Sequence, residues 1–117
     1  MALTIVKPEN IKDYVGKDFG TTEWFTVDQD RINKFADATD DHQFIHVDSE
    51  KATPIFGSTI SHGFLSLSFT AGIVSDISFF IDGAYMCLNY FLDIVMFLIP
   101  VSVTSRVMLN SFVLYIT

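Results

Sequence analysis

Residues 35–52 read Phe-Ala-Asp-Ala-Thr-Asp-Asp-His-Gln-Phe-Ile-His-Val-Asp-Ser-Glu-Lys-Ala, a run without glycine or proline that carries five acids and two histidines. Its most reactive pairing is Asp41 with His46. Residues five apart on a helix lie about 140° apart around the axis, and an odd offset on a strand sends side chains to opposite faces. Only a curled loop lets this carboxylate and imidazole face one small volume. A pair so placed can move protons to and from water near neutral pH, because His titrates there and Asp can orient it or activate a water. The residues alone also admit a plainer arrangement: Asp41 caps a short helix, and His46 is a half-buried loop residue satisfied by a backbone carbonyl.

The flanks follow from local signals. Upstream, Thr26 or Asp28 can cap a helix in which Ile32, Phe35 and Ala36 form an i, i+3, i+4 stripe, ending at Asp40 and Asp41. Before it, Trp24, Phe25 and Val27 favour a strand over residues 23–27. Earlier still, Pro8 starts a short helix through Tyr14 and Val15 that Gly16 stops, and Gly20 marks a turn. Downstream, Asp48 or Ser49 starts a short turn through Ala52 that Pro54 stops, and Gly57 and Gly63 punctuate the next stretch. Residues 64–79 are apolar on nearly all sides but diluted by Ser66, Ser68, Ala71, Gly72 and Ser75, which suits a helix enclosed by a sheet. Residues 84–98 and 101–116 are β-favouring and flank Pro100, so two long strands in a hairpin are expected.

A chain of 117 residues supports one domain, 1–117, large enough for a core and small enough to gain from oligomerisation. The net charge of −7 argues against a nucleic-acid partner and against an anionic membrane surface, both of which call for basic patches. The one cysteine, Cys87, excludes an internal disulfide framework; it is expected as a small buried hydrophobe in a reducing, cytoplasmic setting, and no basic, apolar leader is visible. From Ser61 onward only Asp76, Asp82, Asp93 and Arg106 are ionised. The apolar runs there are nevertheless cut by Asp76 and Pro100, well short of the roughly twenty residues a spanning helix needs, so no membrane partner is expected.

The wording of the central stretch resembles the hydratase signature of the MaoC-like dehydratases, the (R)-specific enoyl-CoA hydratases of the hot-dog fold. Phe35, Thr39, Asp41, Ile45, His46, Asp48 and Ala52 fall on its positions. Asp-His-Gln-aromatic-Ile-His-Val-Asp is most similar to the nodulation-protein-N-like branch. Residues 56–65, Phe-Gly-Ser-Thr-Ile-Ser-His-Gly-Phe-Leu, resemble the family's second landmark, and the likeness extends weakly to Asn89-Tyr90 and Pro100-Val101.

This resemblance implies an α+β hot-dog fold, an antiparallel sheet wrapped around a central apolar helix. It implies an enzyme, a hydro-lyase adding water to a trans-2-enoyl thioester, with Asp41 and His46 as the acid/base pair. The developing charge on the thioester oxygen needs donors, which the free N–H groups at the start of the central helix, near Gly63 and Phe64, can supply. Gly63 as a plain turn residue is the simpler alternative. Ser61 is expected to cap that helix, and His62 either lines the pocket or exposes its ring at the helix start, with a structural role favoured. No cofactor is implied: the acyl-CoA or acyl-carrier thioester is the substrate. A metal held by His42 and His46 with Asp41 or Asp48 would need a helix through residues 43–45, against the loop required above, so no metal is expected. Asp40, beside Asp41, is expected to push the latter's pKa upward.

The chain departs from the family pattern in four respects. Gln43-Phe44 replaces Asn-Pro, and Asp40 replaces a glycine. Phe91, Ile94 and Met96 stand where the branch carries glycine and basic residues. Family members also continue with at least two further strands. The expectation is therefore a sheet short at its C-terminal end, completed in a homodimer or higher homo-oligomer, or else a shortened module that binds acyl thioesters or serves in assembly without catalysing.

Overall fold

Proline and glycine set the ends of the first elements. In the computed structural model, which describes residues 4–73, 79–89 and 92–114, a 3-10 helix spans Pro8–Tyr14 with proline in its first turn. Gly16 follows with φ +82°, a left-handed conformation that glycine adopts without a Cβ clash. The chain divides into two compact units, one of Trp24–Phe69 with Met96–Val107, the other of Met1–Glu23, Thr70–Val95 and Met108–Thr117.

In the second of these units β1 (Thr4–Val6) pairs in parallel with β4 (Phe79–Ile81), and β2 (Asp18–Thr21) pairs antiparallel with β6 (Asn110–Phe112) across an irregular register. The rings of Tyr14, Phe19 and Phe79 gather with centroids 5.2–6.2 Å apart. In place of one antiparallel sheet, the described strands pair two by two, with β1 and β4 parallel, and Phe79, expected to end the central helix, lies in a strand.

The unit that carries residues 35–52 is mostly helical. β3 (Phe25–Thr26) pairs antiparallel with β5 (Arg106–Val107). Helix α1 (Gln29–Thr39) is capped by the Asp28 carboxylate, which accepts from the Arg31 N–H at 2.8 Å. Its stripe buries Ile32 and Ala36 completely, with Val27 and Ala52 beside them in the core. The helix ends at Asp40, whose φ of +61° is the left-handed C-terminal geometry usually filled by glycine. One turn of helix, α2 (Phe44–Val47), is followed by α3 (Ser49–Phe56), capped by Asp48 through the Lys51 N–H. Pro54 sits inside α3 rather than ending it. It forfeits only a bond to the exposed Glu50 carbonyl, and its fixed φ suits the helix. Gly57, at φ +80°, closes the helix instead.

Helix α4 spans Gly63–Ile73, so the central helix expected over 64–79 is present in its first part, and residues 74–78 lie outside the described residues. It buries Leu65 and Phe69 but leaves Phe64 exposed, so the all-round enclosure expected from composition is not seen. Phe69 meets Phe25 of β3 edge-to-face at 4.9 Å, and the Arg31 guanidinium lies over the Phe69 ring at 5.4 Å, which joins α4 to β3 and α1.

The expected hairpin around Pro100 does not form among the described residues: 84–89 and 92–98 are in no strand, and the later pairing is confined to β5, β6 and single bridges such as Ile60 with Ser102. β-favouring side chains make a strand only when a neighbouring strand takes their backbone groups, and none does so here. Cys87, expected as a buried hydrophobe, is exposed in the same region.

Candidate active site

The left-handed turn at Asp40 sends Asp41 off the end of α1. The Asp41 carboxylate then receives two bonds on Oδ1, from the N–H of Gln43 (3.4 Å) and from its side-chain amide (3.1 Å). This is the local turn that Asp favours, and it leaves Oδ2 facing inward. Three residues after Gln43, the single turn of α2 places His46 with its ring buried.

Which nitrogen carries the proton follows from the partners, since a carbonyl can only accept. His46 Nδ1 donates to the Ile60 carbonyl at 2.7 Å, so the neutral ring presents a bare Nε2 to Asp41 Oδ2, 3.9 Å away. His62 lies against this pair. Its ring stacks on His46 with centroids 3.8 Å apart, and its Nε2 donates to the Asp41 backbone carbonyl at 2.9 Å while lying 4.0 Å from Oδ2. His62 Nδ1 is buried and has no partner among the described residues. The exposed-ring arrangement of His62 is thus excluded: only 3% of the residue is exposed.

Asp41 and His46 do converge, but the connection is a cap-like turn followed by one turn of helix rather than an open loop. Elements of both sequence readings are present together, since the His46 ring is satisfied by a backbone carbonyl and still turns its other nitrogen to the acid. Burial pushes the Asp41 carboxyl up, but the two Gln43 bonds and the neighbouring His46 and His62 outweigh it, and its pKa lies below the ordinary carboxylate value. The upward push expected from Asp40 is therefore corrected: Asp40 is not among the groups that shift Asp41. His42 does not face His46. It pairs with Asp37 at 2.8 Å, and this bond raises its pKa.

Among the described residues, the group able to offer ligand atoms to a cation is Asp41, His46 and His62, within 4.8 Å of one another, rather than the His42 set. Its fit to a metal is poor. The His62 nitrogen beside Asp41 holds its proton on a carbonyl and has no lone pair to give in that state.

Gly63 opens α4, where the N–H has no acceptor within the helix. A β-carbon at this position would lie 3.2 Å from the Phe97 ring, so glycine lets that ring approach. The residue lines an open pocket of about 540 Å³ together with His46, Ser61 and Ser66, bordered on the other side by apolar residues of 96–101. Ser61 is buried, yet its hydroxyl donates to the His62 carbonyl (3.2 Å) instead of accepting from a helix N–H. It stands one residue outside the cap position, which His62 occupies. Phe64 is 69% exposed, with its ring edge-on to Phe97.

Sequence reasoning missed Gln29. This first residue of α1 donates through its side-chain amide to the His46 backbone carbonyl (2.8 Å) and accepts from the Thr59 hydroxyl (2.5 Å). A glutamine at a helix start carries no local signal of such a role, because both partners are distant in sequence.

The MaoC-like domain matches residues 10–112. Nodulation protein N of Rhizobium leguminosarum bv. viciae is 47% identical over 100 residues, which are 84% of this chain and 62% of that protein. The 3-hydroxyacyl-thioester dehydratase Z of Mycobacterium tuberculosis is 42% identical over 97 residues, 82% of this chain and 64% of that enzyme. Nodulation protein N of Rhizobium meliloti is 45% identical over 101 residues. The chain therefore spans somewhat under two thirds of the length of these relatives. By the extent of these matches, the chain belongs to the MaoC-like domain family.

Proposed function

We propose that the chain acts on acyl thioesters as a hydro-lyase, adding water to a trans-2-enoyl thioester to give the 3R-hydroxyacyl product, and the reverse. The observation that carries this reading is the meeting of the Asp41 carboxylate and the bare His46 Nε2, two acceptors 3.9 Å apart that can bond the same water. His46 Nε2 takes one proton from this water as its oxygen attacks C3. Asp41 holds the other hydrogen and stabilises the imidazolium that forms. The π electrons move through C2 to the thioester oxygen, where the Gly63 N–H and the helix start supply the donor, and the proton then returns to C2. Every atom of the water ends in the product, and no cofactor is needed. The apolar wall of 96–101 suits an acyl chain. The name of the mycobacterial relative, a 3-hydroxyacyl-thioester dehydratase, describes the same chemistry in that protein.

The hot-dog arrangement, a helix wrapped by an antiparallel sheet, and a cytoplasmic homo-oligomer belong to this same proposal. Among the described residues no helix is long and apolar enough to cross a membrane. The test is loss of the enoyl-thioester absorbance with crotonyl-CoA. Asp41→Asn should lower turnover by about 10²–10⁴ while circular dichroism stays unchanged; a variant as fast as the parent sinks the mechanism.

The exposure of Leu92, Ile94, Leu98 and Ile99 favours a second reading, an acyl-binding or assembly module without turnover. Saturable binding of a 3-hydroxyacyl thioester with no hydration of crotonyl-CoA would select it.

A further inference from the structure

His46 is held at its ring by the Ile60 carbonyl and at its backbone carbonyl by Gln29, which also bonds Thr59, the residue before Ile60. His46 Nδ1 donates to the Ile60 carbonyl, and the Ile60 N–H in turn donates to the Ile45 carbonyl at 2.9 Å, so residues 45–46 and 60 are clasped together. The Gln29 amide grips the same two segments from behind. Its Nε2 donates to the His46 carbonyl at 2.8 Å and to Asn33 Oδ1 at 2.9 Å, and its Oε1 accepts from Thr59 Oγ1, on a residue that is 1% exposed. The amide orientation follows from chemistry, because only the NH₂ end can face a carbonyl oxygen.

We infer that Gln29 is a positioning residue for His46, acting through the backbone of residues 46 and 59–60 to keep the imidazole proton on Nδ1 and the bare Nε2 toward Asp41. It does not line the pocket that His46 borders. Fixing a reacting imidazole through the partner of its other nitrogen is the arrangement that sets tautomer and ring angle in histidine sites generally. In this chain that partner is a backbone carbonyl rather than a carboxylate, and a carbonyl goes only where its segment goes. The rigidity must come from whatever anchors the segment, and Gln29 supplies it from the first turn of α1. The role of this residue in turnover rests on the hydro-lyase reading above; its role in orienting the ring does not.

The discriminating substitution is Gln29→Glu. It keeps the side chain's length and the Thr59 bond but turns a carboxylate oxygen toward the His46 carbonyl, where two acceptors repel. At a helix's first position an acid is favourable in itself, so local helix stability is not lost. With only three histidines in the chain, the ring ¹⁵N spectrum can be assigned by substitution. The parent protein is expected to show His46 protonated on Nδ1, and Gln29→Glu to show mixed tautomers at His46 with His42 unchanged. On crotonyl-CoA, kcat should fall about 10–100-fold with little change in KM. Thr59→Val, which frees residues 59–60 from Gln29 but keeps the bond to the His46 carbonyl, should shift the His46 ring signals in the same direction by a smaller amount.

An unchanged His46 tautomer in Gln29→Glu overturns the inference. If the parent does not hydrate enoyl thioesters, the functional proposal fails and the ring spectrum alone decides this one. If Gln29→Glu does not fold, Gln29→Met takes its place in the same measurement. Unfolding of both would make the residue a part of general stability and overturn the inference as well.

Discussion

Between Asp28 and Gly57 the chain carries its own instructions. Two carboxylates cap α1 and α3, a left-handed Asp40 and a left-handed Gly57 end them, and apolar residues at helical spacing bury one face. Residues 84–99 are far richer in apolar side chains, yet among those described none is in a strand, and Tyr85, Leu88, Ile94 and Leu98 are each more than three-quarters exposed. The first region needs partners a few residues away; the second needs strands from far along the chain or from another molecule. Apolar content alone therefore decides neither burial nor secondary structure. What decides is whether the backbone groups find partners.

The comparison can be tested by attacking each side. The largest effect is expected at Ile32, fully buried in α1: Ile32→Ala should cost about 2–5 kcal/mol in chemical denaturation, by lost transfer and cavity terms. Next comes the cap. Asp28→Ala should cost about 1 kcal/mol, because the Arg31 N–H loses its acceptor. The opposite region should be nearly indifferent, with Ile94→Asn, at a side chain 76% exposed, changing stability by under about 0.5 kcal/mol. A multi-kcal loss there would break the contrast and show that 84–99 is packed in solution. If Ile94→Asn instead reduces the apparent mass on a sizing column, the apolar stretch is covered by another copy.

The smallest effect expected is electrostatic. Pairing with Asp37 raises the pKa of His42, so the stabilisation is fully present below the ordinary histidine value and is lost as pH rises through the folded pKa. Melting temperature should fall slightly as pH rises across neutrality, and His42→Gln should remove that slope.

These contrasts explain what could be read before the structure. The α1 stripe was a local signal and is present; for the caps local signals left Thr26 or Asp28 and Asp48 or Ser49 open, of which Asp28 and Asp48 serve, and the stop expected at Pro54 falls at Gly57 instead. The meeting of Asp41 with His46 was accessible too, although spacing alone left a plainer alternative standing and only the motif wording favoured convergence. The stacking of His62 on His46, the bond from His62 to the Asp41 carbonyl and the Gln29 brace were not accessible. Each joins residues separated by 16 or more positions, and nothing in a histidine or a glutamine announces its distant partner. The long C-terminal strands failed for the related reason that strand propensity reflects packing against neighbours that the residue itself does not name.

The left-handed residue that ends α1 has a consequence for how this protein can be altered. Because Asp41 leaves the helix from a fixed point on its circumference, adding or deleting one residue between 29 and 39 would swing the departure direction by about 100°. Substitutions on the outer surface of that helix leave the direction intact. Its tolerance should therefore be wide for composition and almost nil for length.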